Sequence, residues 1–122
     1  MRTVLGVAAA VLTTACTTPP LAPDVPHAVD RLPITPYAEH EACFDGIPGD
    51  RLDYRWQTSE PVDFDIRYRE GGAVVAPIVR ERSRGASGIF EVRLRERYCL
   101  HWQAGNAGAF VDYRLVLRRA PP

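Results

Sequence analysis

The chain has 122 residues, with 15 basic side chains against 15 acidic ones and a formal net charge of zero. That balance argues against nucleic acid as a main partner, which calls for a concentrated excess of positive charge on one surface. The length allows one small domain at most, whose core needs help from a covalent staple or a partner.

The first element, residues 1–15, reads as a signal peptide. Arg2 is followed by an apolar run from Val4 to Leu12 and by small Thr13, Thr14 and Ala15 directly before Cys16. As a helix that run would rise about 13 Å, far short of the roughly 30 Å hydrocarbon core of a bilayer. Ala15-Cys16 resembles the lipobox of bacterial lipoproteins, with Leu12 one place further from the Cys than the usual Leu and Thr13 in the usual Leu position. The resemblance implies cleavage before Cys16 and acylation of that residue, an anchor made stable by carrying more than one chain. Thr17 follows the Cys where an Asp commonly marks inner-membrane retention. By the same resemblance the expected location is the outer membrane of a Gram-negative envelope.

Residues 16–36 are expected to be a lipidated Cys and a tether. Pro19, Pro20, Pro23, Pro26, Pro33 and Pro36 are spread through this stretch. Each deletes a backbone donor and fixes φ, which disfavours helix and central strand. The composition suits a semi-extended spacer reaching on the order of 60 Å.

From Tyr37 the pattern changes to period two, the signature of half-buried strands, over a domain expected at 37–119. Leu52, Tyr54 and Trp56 alternate with Arg51, Asp53 and Arg55, and Val62, Phe64, Ile66 and Tyr68 with Asp63, Asp65, Arg67 and Arg69. Gly71-Gly72 reads as a turn, Ala73 to Val79 as a strand marked as an edge by Pro77, and Arg82 to Gly88 as a polar loop. Phe90, Val92 and Leu94 alternate next, then Tyr98, Leu100 and Trp102. After a turn at Gly105 to Gly108, Val111, Tyr113, Leu115 and Leu117 form the last apolar row. Six to eight short antiparallel strands with regularly spaced turns predict an all-β fold, a small β-sandwich or jelly roll, with Trp56, Phe64, Phe90 and Trp102 in the core.

The chain has three cysteines. With Cys16 taken by lipid, Cys43 and Cys99 are left as a natural disulfide pair in an exported protein. They lack the CxxC spacing of a metal site.

Cys43-Phe44, Val62 to Tyr68, Gly88-Ile89-Phe90 and Tyr98-Cys99-Leu100-His101-Trp102 together resemble the GOLD domain, a β-sandwich of Golgi cargo receptors that also occurs in bacterial envelope proteins. The likeness covers most of Cys43 to Leu117. Ala104 stands where that family has an Asn, with Asn106 offset. The resemblance implies an early-to-late Cys pair, protein or ligand binding, and no catalytic residues.

The remaining constellations read as structural. Asp63 and Asp65 share one strand face about 7 Å apart, within range of a glycosidase pair, but sit in a row with Arg67 and Arg69 where ion pairing is ordinary. No nucleophile-elbow sequence surrounds Ser59, Ser83 or Ser87 as a partner for His101. His27 and His40 are too scattered to suggest a metal. Arg80, Arg82, Arg84, Arg93 and Arg95, together with Arg97, outnumber Glu81, Glu91 and Glu96 on what reads as a protruding hairpin able to touch anionic lipid. Tyr37 and Phe110 are candidate exposed aromatics. No motif calls for a cofactor. The expected function is a non-enzymatic, membrane-anchored module that binds an envelope protein through a flat or edge-strand surface. The rivals are a carrier of lipid or carbohydrate, with an apolar pocket between the sheets, and a small envelope hydrolase.

Overall fold

The computed structural model describes residues 19–121 and, ahead of them, Gly6; Cys16 and the expected cleavage site lie outside the described residues. The fold is all-β, with six antiparallel strands and no helix among the described residues: β1 (His27–Ile34), β2 (Glu39–Gly46), β3 (Arg51–Glu70), β4 (Ala73–Glu91), β5 (Glu96–Ala104) and β6 (Ala109–Arg118).

Strand β3 is the axis. Its first half, Arg51 to Thr58, pairs with β6, and its second half, Val62 to Arg67, pairs with β5 along the same edge. Strand β4 follows the opposite edge for nearly the whole length of β3. Outside β6 lies β1, and outside β5 lies β2. The sheet therefore bends about the β3–β4 ribbon and curls like a half-barrel, the two halves facing each other over one core. Register shifts between Gln57 and Phe64 accommodate the bend, as expected where strands pass from one sheet to another. On the open side Leu21 N–H donates to the Cys43 carbonyl at 3.1 Å, and Pro23 bridges Leu117.

The period-two rows become the core. Leu52, Tyr54, Trp56, Val62, Phe64, Ile66 and Tyr68 on β3 are buried, as are Phe90, Leu100, Trp102 and the β6 row Val111 to Leu117. Trp102 stacks on Tyr113 with ring centroids 4.9 Å apart and meets Trp56 edge-on at 6.5 Å, joining the two halves of the sheet.

Three expectations are corrected. Strand β1 lies inside the stretch expected to be tether. Its apolar Val29, Leu32 and Ile34 pack on the core, and Pro33 is tolerated because β1 is an edge strand with a bulge between Val29 and Leu32. The two alternating runs at 52–56 and 62–68 are one 20-residue strand. The expected loop at Arg82 to Gly88 is strand as well. Its small residues exist for packing: a Cβ at Gly85 would fall 2.9 Å from the Trp56 carbonyl oxygen, and one at Gly88 would fall 2.8 Å from the Tyr54 hydroxyl.

One buried acid ties residues 119 and 120, after β6, to the turn between β2 and β3. Asp50, fully buried, accepts hydrogen bonds from Ile47 N–H at 3.0 Å, Ala120 N–H at 3.2 Å and the Arg119 guanidinium. Burial alone would raise its pKa, but these donors together hold it below the usual carboxylate value. A depressed carboxylate stabilises the fold above its unfolded pKa of about 3.9, and that contribution disappears as pH falls through the lower folded value. Asp50→Asn should therefore lower the denaturation midpoint at pH 7 and flatten the acid limb of a stability–pH profile. An unchanged profile would show that the charge on Asp50 is not what the three donors hold.

Candidate functional site

The most unusual feature is the outer edge of β4. Strands β1 and β2 are also edges, but each has 8 residues; β1 is interrupted by its bulge and Pro33, and β2 is met by Leu21. Strand β4 has 19 residues, pairs only with β3 among the described residues and is largely exposed. Long unpaired edges invite another strand, and proteins normally guard them with charge or Pro. The first part of β4 has such guards in Pro77, Arg80, Arg82 and Arg84, with Arg82 in a left-handed conformation at φ 46°. The segment Gly85 to Phe90 has neither, and presents Ile89 at 62% exposure.

The five arginines expected to act together are divided. Arg80, Arg82 and Arg84 line the bend of β4, where Arg82 N–H donates to Asp63 Oδ1 at 2.9 Å and Arg84 reaches the Ser59 carbonyl at 3.3 Å. Arg93 and Arg95 sit in the β4–β5 loop, about 30 Å further along the chain path. No hairpin joins them, because β5 pairs with the opposite edge of β3.

On the outer face of the β2–β5 half, His101 is opposite Asp65 and Glu41 in register. It is only 3% exposed despite facing outward. Arg67 grips Asp65 through both Nε and Nη2 at 2.6 Å, and its Nη2 also lies 3.2 Å from His101 Nδ1. Nδ1 also lies 3.5 Å from Asp65 Oδ2, and Nε2 lies 3.4 Å from Glu39 Oε1 without a well-aligned hydrogen bond. The bond to Asp65 raises the pKa of Arg67 and keeps the guanidinium charged. Asp65 is thus occupied by Arg67, and Asp63 by the backbone of Arg82. Ser59 Oγ accepts from Phe110 N–H and Ser83 Oγ bonds Gly85, so neither serine serves His101.

Cys43 and Cys99 form the disulfide, directly opposite one another on β2 and β5. A Glu41 oxygen lies within 4.8 Å of both sulfurs, but with the sulfurs joined no thiolate remains to hold a metal. The fold also gathers His27 and His40 against Tyr113, with ring centroids 5.9 and 5.8 Å from it. His40 Nε2 lies 3.2 Å from the Tyr113 hydroxyl, and burial pushes the His40 pKa down. Sequence spacing hides this pair, which depends on β1 and β2 closing over β6.

The larger depressions open on the outer surface. One of about 590 Å³ at the bend is lined by Tyr37, Asp63, Arg82, Arg84, Gln103 and Asn106 among others. Another of about 530 Å³ lies between Asp30, Arg55, Gln57, Asp112 and Arg114. Phe110 is half covered by Arg31, whose guanidinium carbon lies 5.5 Å from the ring centroid. The fold and its surfaces define a small, disulfide-stapled β-sandwich domain with an open edge. No protein-family model matches the chain, and no curated protein matches it.

Proposed function

We propose that the chain is a non-enzymatic lipoprotein of the cell envelope, held by acyl chains on Cys16, whose β-sandwich binds a protein partner by strand addition to β4. The observation that carries the binding half is the Ala86 to Phe90 edge, without charge or Pro, at the end of a 19-residue strand; the main chain of Gly85 before it is already bonded to Ser83 Oγ. An added strand would satisfy the free main-chain donors and acceptors of β4, with Ile89 and Ser87 setting side-chain preference. The lipobox resemblance at Ala15-Cys16 supports the anchor, and the Cys43–Cys99 disulfide fits an oxidising compartment. The GOLD resemblance adds a precedent for binding on such a sandwich. Because Leu21 is already docked on β2, any spacer after Cys16 is only a few residues, reaching about 17 Å rather than 60 Å. In strand order β4 lies across β3 and β5 from β2, where Leu21 docks.

A photo-crosslinker at position 87 in membrane-bound chain should yield one discrete adduct, and Ile89→Lys, which places a charge on the exposed edge, should abolish it. No adduct at position 87, or an adduct indifferent to Ile89→Lys, would remove strand addition at this edge. Intact mass of the membrane-extracted protein tests the anchor separately.

A further inference from the structure

On the outer face of the β1–β6–β3–β4 half, register places Arg51 opposite Arg118 and Arg55 opposite Arg114. Like charges directly opposite on antiparallel strands repel, so each pair needs compensation. The first pair has it. Arg51 lies 3.9 Å from Glu91, and Arg118 Nε donates to Asp53 at 2.8 Å. Among the described residues the second pair has none: neither Arg55 nor Arg114 has a carboxylate within 4.0 Å. Of the acids nearby, Asp30 lines the same depression but forms no ion pair with either arginine, and the other two are committed elsewhere. Asp53 holds Arg118, and Asp112 accepts from Arg31 N–H at 2.6 Å and faces Gln57 Nε2 at 3.5 Å.

The row containing this pair runs Ala28, Arg114, Arg55, Ser87 across β1, β6, β3 and β4. Small side chains on both flanks, Ala28 and Ser87, leave the two exposed arginines uncovered. Shallow depressions open on either side, about 530 Å³ toward Asp112 and about 250 Å³ toward Asp53, and both arginines line both of them.

We infer that Arg55 and Arg114 form a binding site for a phosphate monoester group on the outer face of this half of the sheet. Two uncompensated guanidinium charges match a phosphate monoester, which carries between one and a half and two negative charges near neutral pH. Planar forks carried on two paired strands can each offer parallel N–H donors to one tetrahedral oxyanion, which a point-charge ammonium would not provide. A single carboxylate would fill one fork and leave the other charge unpaired. The group could arrive free or as a lipid headgroup; the site is independent of the anchor at Cys16 and of strand addition to β4.

The test uses the full chain carrying Cys16→Ser, so that acylation cannot mimic binding. In inorganic phosphate at neutral pH its thermal midpoint should rise by roughly 5 °C above that in chloride of matched ionic strength. The double variant Arg55→Gln with Arg114→Gln should lose that rise, and in chloride should melt no lower than the parent, since it removes a repulsion. Arg80→Gln with Arg84→Gln should keep the rise. Co-sedimentation with phosphatidylcholine vesicles containing phosphatidic acid, but not phosphatidylglycerol, would assign the headgroup as the source; binding to neither, with the phosphate response intact, would assign a free phosphate. An equal rise in acetate or succinate, or a rise that survives loss of both arginines, would overturn the site.

Discussion

Replacing Cys43 and Cys99 together by Ala should lower the stability of the domain by about 4 kcal/mol in the chain-entropy view of a cross-link. The two cysteines are 56 residues apart in sequence, and the loop they close contains all of β3 and β4. In the unfolded chain that loop is free to expand; in the folded one Cys43 and Cys99 are direct cross-strand partners. The loss is large for a domain of this size, whose whole stability is on the order of 5–15 kcal/mol. It should also be local. Strand β2 pairs only with β5, and Leu21 is held on the Cys43 carbonyl, so hydrogen exchange in β2 and around Leu21 should rise first. Chemical denaturation of the oxidised chain, the reduced chain and the double Ala variant measures the effect. A loss below about 1 kcal/mol would mean that register and packing of β2 on β5 already confine the unfolded ensemble, and that the bridge is incidental.

Much of this fold is visible in the sequence, because burial of one sheet face prints itself as alternation. The even-numbered row from Leu52 to Tyr68 keeps its parity across Thr58, Ser59, Glu60 and Pro61. Those four residues look like a turn by composition, yet the unbroken parity of the apolar positions on either side already says that the chain goes on in the same sense, and β3 does. The second half of β4 is hidden for a tertiary reason. Gly85 and Gly88 are small because the Trp56 carbonyl and the Tyr54 hydroxyl occupy the space where a Cβ would go, and a local reading takes the same glycines for a loop. Strand β1 is hidden by its bulge, where Arg31 turns to φ 51° and breaks the alternation, and by the prolines around it.

The candidate sites are less legible because they depend on pairings between strands distant in sequence. Arg55 and Arg114 meet only because β6 pairs with the first half of β3, and His101 meets Asp65 only because β5 pairs with the second half. A one-residue slip in either ladder would turn those side chains to the opposite face. Charge counting along the chain instead gathers Arg80 to Arg97 into one patch, which the path of β4 and β5 pulls apart. The arginines that matter electrostatically are those whose cross-strand neighbours fail to neutralise them, a property of register rather than of composition.

Trp102→Ala should be the most damaging single core substitution, at about 3–5 kcal/mol. Trp102 is fully buried and lies at the junction of the two halves of the sheet, stacked on Tyr113 of β6, tilted against Phe64 of β3 at 5.4 Å and edge-on to Trp56. Removing it leaves a cavity bounded by rigid rings on strands fixed by their ladders, which limits collapse into the space. Trp102→Phe should cost much less, about 1–2 kcal/mol. It keeps a ring in the stack and deletes an indole N–H that has no hydrogen-bond partner. Circular dichroism through a denaturant series separates the two variants without relying on the fluorescence of the residue removed. Equal losses for Ala and Phe would show that the indole N–H is held by the π-face of a neighbouring ring, and that Trp102 joins the two halves of the sheet through that contact rather than through its volume.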